Sequence, residues 1–373
     1  MQTNLLHLAI DARAVCDHYP GIGRVVSALA HAWALNARVG KLHIFSNPSR
    51  KNTYLTLPNT SERVIRHTID AVPGSFAEGQ HIRHLANGTG VDWYYSPYLL
   101  LPWGRFKPRT MVTIHDAIPL TMPHTPWKTR LAYALAMRIA AARATCLTTV
   151  SDAAAHSIAP FIWPHRPPTV VPNGVDERFF AVSTANPSGA VHAPYALCVS
   201  SNQPHKNLSA LVAAWQHLAA HAALGPRATL FIAGHVNLAR GQPWHTAEPC
   251  SYPIIHLGSP NDSQLITLYR NAHLVVQPSL AEGYGLPVLE ALACGAPVLC
   301  HDLPVYQATA DGAVYATPMH QPADIAAAIA LLWNDAERRN TLHHNGPIQA
   351  RRADWHAAAN QMLDVMQKNT SCL

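Results

Sequence analysis

Two glutamates, Glu282 and Glu290, stand with seven residues between them in the stretch QPSLAEGYGLPVLEALACGAPVLCHD, residues 277–302. Paired carboxylates can accept hydrogen bonds from hydroxyl groups at either end of a polar ligand. Between them, Gly283 and Gly285 free the backbone to turn tightly. Pro287 falls where the first turn of a helix tolerates a missing N–H. Apolar runs at 274–276 and 297–300 read as flanking strands. A strand, a glycine loop, a helix start and a second strand aim free N–H groups and a positive helix end at an anion. If the stretch between the glutamates is helical, they lie no more than about 12 Å apart along its axis. That is the span of a sugar, a diphosphate and a ribose laid end to end.

Other residues could serve the same anion. Lys206 sits in the polar loop 200–207, between a predicted strand at 195–199 and a helix starting near 208, with His205 before it. An ammonium there suits a diphosphate. His115 follows a predicted strand at 110–114, and ligands of parallel α/β sheets bind outside the carboxyl ends of strands. Its imidazole can donate or accept a hydrogen bond near neutral pH. Gly21-x-Gly23, followed by Arg24, comes after a first strand at 5–10. It is half of a dinucleotide fingerprint, since Val26 replaces the last glycine, and no Walker lysine follows. Gly258 closes a predicted strand at 254–257. There is no HExxH and no Cys/His set at zinc spacing, so no metal site is expected.

These residues need elements to position them. In the first half, strands are predicted at 5–10, 41–46, 92–95, 110–114, 146–150 and 169–172. Helices are predicted at about 25–36 and 127–144, and a third is capped by Ser151-Asp152. Residues 181–194, AVSTANPSGAVHAP, have no apolar period and read as a linker. The second half repeats the alternation, with strands at 195–199, 228–232, 254–257, 274–276 and 297–300. Its helices are expected at 208–222 and from Asn261-Asp262 to 271, with only helices beyond 312. The pattern implies two doubly wound α/β domains, 1–180 and 195–350, facing each other across a cleft. The helix in 351–373 is placed to pack back on the first.

Composition sets limits. With 373 residues and 49% hydrophobic content, the chain can bury two cores. No run of eighteen apolar residues appears, so no bilayer-spanning helix is expected. The N-terminus has no basic n-region. Seven cysteines, odd in number and without a CxxC pair, point to reduced, buried thiols in a cytoplasmic protein. Residues 1–180 carry eighteen Lys/Arg against ten Asp/Glu, and the remainder nine against eleven. A basic half suits an anionic lipid surface or a phosphate-bearing acceptor, or is a solvated face. No nucleic-acid motif accompanies the charge, so a nucleic-acid partner is not expected.

The run EGYGLPVLEALACGAPVL resembles the EX7E signature of retaining glycosyltransferases of family 4 (GT4), which have the two-domain GT-B fold. PGIGR, TIHD, VPNGVD, PHKNL, IAGH and HLGSPNDSQLITLYRNA resemble further stations of that family in its order, over about residues 5–312. The resemblance implies a GT-B protein with an N-terminal acceptor-side domain and a C-terminal nucleotide-sugar domain. It implies a metal-independent hexosyltransferase without a cofactor, transferring from a nucleotide diphosphate sugar. GDP-mannose is favoured, because the IDAR…GIGR…IHD style is similar to relatives that build bacterial surface polysaccharide or lipopolysaccharide. The implied acceptor is a saccharide, lipid-diphosphate-linked, met at the inner membrane face. By resemblance, Glu282 would bind donor sugar hydroxyls, Glu290 the ribose, and His115 the transferred sugar. Lys206 would neutralise the diphosphate with N–H groups of Gly283-Tyr284-Gly285-Leu286 and of Gly21 to Gly23, and Gly258 would line the base pocket. The family commonly has arginine where His205 stands, so the clamp is weaker here or Arg24 assists it. The loop HDLPVY lacks an acidic residue that many relatives carry. A nucleotide-sugar epimerase or a non-catalytic sugar-nucleotide scaffold would use the same pocket.

Overall fold

The computed structural model describes residues 5–17, 20–52, 55–72, 75–123, 125–164, 167–180, 194–242, 244 and 251–370. The chain forms two compact units, Met1–Gly174 with Asp354–Leu373, and Val175–Ala353. The expected linker at 181–194 lies, except for Pro194, outside the described residues.

The strands of the first unit are β1 (Leu6–Asp11), β2 (Val39–Ser46), β3 (Val64–Thr68), β4 (Trp93–Ser96), β5 (Arg109–Thr113), β6 (Cys146–Thr149) and β7 (Thr169–Val170). Its helices before residue 174 are α1 (Pro20–Leu35), α2 (Phe76–Gly88), α3 (Ile118–Thr121), α4 (Trp127–Arg143) and α5 (Asp152–Ile162). The strands form one parallel sheet in the order β3-β2-β1-β4-β5-β6-β7. β4 is buried along its whole length and β1 nearly so, as strands covered on both faces must be. The strand order reverses between β1 and β4, which opens a crevice at their carboxyl ends.

The first unit departs from the sequence reading at α1 and β3. α1 begins at Pro20, five residues before the expected start, so Gly21 and Gly23 lie in a helical turn rather than a loop. Proline's fixed φ suits that first position. A Cβ on Gly23 would lie 2.7 Å from the Ala14 carbonyl oxygen, so glycine lets the helix start press against the chain leaving β1. The stretch between the strands predicted at 41–46 and 92–95 reads as a helical or irregular link, and it holds the helix α2 but also the strand β3. β3, at the sheet edge, buries only Val64 and then alternates half-buried with exposed residues, and α2 buries only Glu78, Ile82 and Ala86. Neither carries a continuous apolar signal.

The second unit has strands β8 (Tyr195–Val199), β9 (Thr229–Ala233), β10 (Ile254–His256), β11 (Leu274–Gln277), β12 (Val298–His301) and β13 (Tyr315–Thr317). Its helices are α6 (Leu208–Ala220), α7 (Asp262–Asn271), α8 (Leu286–Ala293), α9 (Pro304–Ala310), α10 (Pro322–Asn334) and α11 (Ala336–Ala350). The parallel order β10-β9-β8-β11-β12-β13 reverses between β8 and β11. Trp215 and Trp333 meet edge to face at 5.9 Å in its core. Asn261 caps α7 reciprocally with Gln264. β13, in a stretch expected to be helical, is a three-residue edge strand too short to show a period.

The final helix, α12 (Trp355–Thr370), belongs to the first unit. The Trp33 indole on α1 donates to the Ala359 carbonyl on α12 at 3.2 Å. A Cβ on Gly174 would fall 2.3 Å from the Trp355 backbone nitrogen, so only glycine fits beneath the start of α12.

Candidate functional site

The reversal between β8 and β11 places two loops side by side. The loop after β8 carries a short turn, Pro204–Lys206, closed by Asn207 in the left-handed conformation. The loop after β11 runs through Gly283 to the start of α8. The Leu280 N–H donates to the His205 carbonyl at 2.7 Å and joins them. Across this seam Lys206 Nζ donates to Glu282 Oε1 at 2.6 Å. Burial pushes the Glu282 carboxyl up, but the Lys206 ammonium outweighs it and holds the group below the usual carboxylate range. Tyr306 on α9 directs its hydroxyl at Glu282, and burial together with that carboxylate keeps the phenol protonated.

Gly285 caps α8 with φ +86°, and a Cβ there would fall 2.4 Å from Tyr306 Cε1. Glycine is therefore required both for the conformation and for the space. The run Gly283-Tyr284-Gly285-Leu286 thus delivers the amino end of α8 next to the Lys206–Glu282 pair, with Pro287 in its first turn. Glu290 lies one turn further on, 4% exposed, and accepts from the Tyr269 hydroxyl at 3.4 Å. Burial, with Lys206 and Arg240 nearby, lowers the His205 imidazole to about 4, so it is neutral at neutral pH. It cannot supply the permanent charge an arginine would. Gly258, with φ +70°, accepts from the Gly234 N–H at 2.7 Å. Gly234 in turn leaves no room for a side chain against the Ser200 carbonyl, so the turns after β8, β9 and β10 converge.

The remaining sequence candidates, Gly21, Gly23, Arg24 and His115, lie in the first unit. His115 follows β5 and its Nε2–H donates to the Pro97 carbonyl at 2.9 Å. Burial lowers this imidazole to about 4, which leaves Nδ1 as an acceptor at neutral pH. A ligand hydroxyl could donate to it.

Sequence reasoning missed the polar cluster at the same crevice. Arg13 donates from Nε and Nη2 to both Asp11 oxygens, at 2.9 and 2.6 Å, and from Nη1 to Glu78 at 2.8 Å. Tyr94 and Tyr98 each donate to Asp11 at 2.9 Å, and Asn47 donates to Glu78. Burial pushes the Asp11 carboxyl up, yet Arg13 and the two phenols hold it below its ordinary range. The sequence signal was Asp11-x-Arg13 at a strand end. Its partner Glu78 is 65 residues away.

Comparison with known proteins decides the class. The chain matches the family described as Glycosyltransferase Family 4 over residues 20–179 and that described as Glycosyl transferases group 1 over 187–349. It belongs to the GT4-type glycosyltransferases. It is similar to the O-antigen chain mannosyltransferase B of Escherichia coli, 30% identical over 174 residues, 46% of this chain and 45% of that one. The chain therefore spans less than half the length of the curated relatives it matches. Its fold is that of the sucrose-phosphate synthase from Thermosynechococcus elongatus, at TM-score 0.78 and 18% identity, covering 99% of this chain and 100% of that one. HepE from Anabaena, solved in complex with UDP and glucose, gives TM-score 0.71 at 17% identity, covering 97% and 100%. The two units are the paired Rossmann-like domains of a GT-B protein.

Proposed function

We propose that this glycosyltransferase moves a hexosyl unit, mannosyl by preference, from a nucleotide diphosphate sugar to a saccharide acceptor with retention at the anomeric carbon. The observation that carries the proposal is the Lys206–Glu282 pair set beside the glycine-capped start of α8, at the strand reversal of the second sheet. In this reading the second unit holds the donor and the first the acceptor. The diphosphate lies against the amino end of α8. Lys206, whose ammonium has two further protons, and the N–H groups of that turn take up charge as the C1–O bond breaks. With this charge supplied by the chain, the reaction calls for no divalent cation. Glu282 is engaged by Lys206 and Tyr306, which makes it a poor nucleophile and a good acceptor for donor sugar hydroxyls. The acceptor oxygen then attacks from the leaving-group face, and its proton passes to the departing phosphate oxygen. Glu290 is assigned the ribose hydroxyls, Gly258 the base pocket, and His115 Nδ1 a hydroxyl of the transferred sugar.

GDP-mannose is the proposed donor, supported by the mannosyltransferase relative, with UDP-sugars the first alternative because HepE was solved with UDP. The proposed acceptor is a lipid-diphosphate-linked saccharide of a bacterial surface polysaccharide, met at the cytoplasmic face of a membrane. Support comes from α4, where Trp127, Leu131 and Leu135 are 69%, 63% and 57% exposed on one helical stripe beside Lys128 and Arg138. Among the described residues, no helix is long and apolar enough to cross a membrane. The test is a thermal-shift screen with GDP, UDP, ADP and dTDP, followed by product analysis with the matching sugar donors. Stabilisation by one nucleoside diphosphate and transfer with an unchanged anomeric configuration support the proposal. A rearranged free donor sugar, or inversion, sinks it.

A further inference from the structure

The first unit has a recess of about 270 Å³ at the end of its sheet away from the crevice, where β5 begins. Lys107, Arg109 and Arg143 line it, with Thr110, Thr145 and the ring of Phe106. Arg83 stands beside it, since a Cβ on Gly104 would lie 3.2 Å from Arg83 Nη1, and Arg143 donates to the Gly104 carbonyl. No acidic residue lines the recess. Among the described residues, none of these four cations forms an ion pair with a carboxylate.

Two details make this more than a basic surface. The Nε atoms of Arg83 and Arg109 are buried without a hydrogen-bond partner. A buried donor on a charged group is costly to leave unmade, and like charges gathered without a counter-charge repel. The floor is also rigid. Thr110 and Thr145 exchange backbone-to-hydroxyl hydrogen bonds at 3.0 and 3.2 Å, and Arg143 is fixed on the carbonyls of Leu101, Pro102 and Gly104. The volume falls just below the roughly 300–1,000 Å³ that encloses a whole drug-sized ligand, so it suits one head group.

We propose that this recess binds a phosphate group, held by Arg109 and Lys107 on a floor set by Arg143. The site lies away from the His115 crevice and is separate from the proposed reaction. Phosphate could come from the free ion or from a lipid head group. Trp103, 56% exposed with Arg143 over its ring at 5.6 Å, and Leu100, 58% exposed, belong to the same loop.

The test is calorimetric titration of the full chain with inorganic phosphate at fixed ionic strength, chloride replacing phosphate in the control. The double variant Lys107→Gln, Arg109→Gln should bind about tenfold more weakly, the loss of charge-assisted contacts. The double variant Lys41→Gln, Lys51→Gln, which removes the same charge at exposed positions of the first unit, should bind as the parent does. Equal affinity in the first variant, or equal loss in both, overturns the site. Should Arg109→Gln prevent folding by circular dichroism, Lys107→Glu, at an exposed position, must show the same loss. Co-sedimentation with phosphatidylcholine vesicles, with and without phosphatidic acid, separates the sources. Capture by phosphatidic acid that the first variant loses and the second keeps assigns the lipid, and phosphate binding without capture assigns the free ion. Failure to bind either overturns the proposal.

Discussion

Lys206 Nζ lies 2.6 Å from Glu282 Oε1 across 76 residues of sequence, and the two side chains are only 17% and 10% exposed. The pair ties the loop after β8 to the loop after β11, and the Lys206 ammonium holds the buried Glu282 carboxyl below its ordinary range. Neither can be altered without changing the electrostatics of the turn that leads into α8.

Removing the lysine should have two separable effects. Lys206→Ala should weaken nucleoside diphosphate binding by about 10- to 100-fold, the worth of charged hydrogen bonds. It should also lower stability by about 3 kcal/mol, because Glu282 is left buried and unpaired. Calorimetry and denaturant titration read the two. Unchanged affinity would remove the clamp role.

Glu282→Gln keeps the shape and removes the charge. Turnover should fall by about 100-fold or more, while nucleoside diphosphate affinity stays within about threefold. Normal turnover would count against the assigned role.

Gly285→Ala should cost about 3 kcal/mol, combining left-handed strain with a clash on Tyr306. A cycle with Tyr306→Ala should show coupling of about 1 kcal/mol between the two changes, as neighbours do. Strict additivity would mean the clash is not felt.

Arg13→Met strands the Asp11 and Glu78 carboxylates in the core. The expected loss is about 3–5 kcal/mol, or about 10 °C in melting temperature. Replacing Asp11, Arg13 and Glu78 together by apolar residues of matched volume should cost less than Arg13→Met alone. A larger loss would show that the cluster contributes more than mutual neutralisation.

Acid should destabilise the protein well before the carboxylates titrate. His115 and His205 titrate at about 4 when folded against 6.5 when unfolded. Between these values the unfolded chain binds more protons, so stability is fully present above about pH 6.5 and declines towards pH 4. Melting temperatures from pH 7 to 4.5 should fall, and His115→Gln should flatten the slope. A flat parent profile would contradict the burial of both rings.

Much of this was legible in the chain itself. The parallel strands of the two sheets announce themselves as short apolar runs ending in glycine or polar turns, and Gly283, Gly285 and Lys206 mark the loops where they end. The rest depends on distance in sequence. Arg13 could be seen next to Asp11, but nothing local shows that Glu78, on a weakly apolar helix, closes the cluster. Tyr306 faces Glu282 from a helix beyond β12, with no spacing rule to link them. The start of α1 was misplaced because two glycines near a proline read as a loop, whereas Gly23 is there for close packing. Periodicity finds elements with a continuous apolar face, which β3, α2 and β13 lack.

The first unit is assembled from two stretches of chain, with α12 added after the second unit. A ribosome delivers Trp33 and Gly174 long before it delivers the Ala359 carbonyl and Trp355 that complete their surroundings. The amino-terminal sheet must therefore wait, with that seam open, while the second unit is translated. A fragment ending near residue 174 would carry the same defect permanently, so the two halves are not separable parts to be cut and recombined at the obvious boundary.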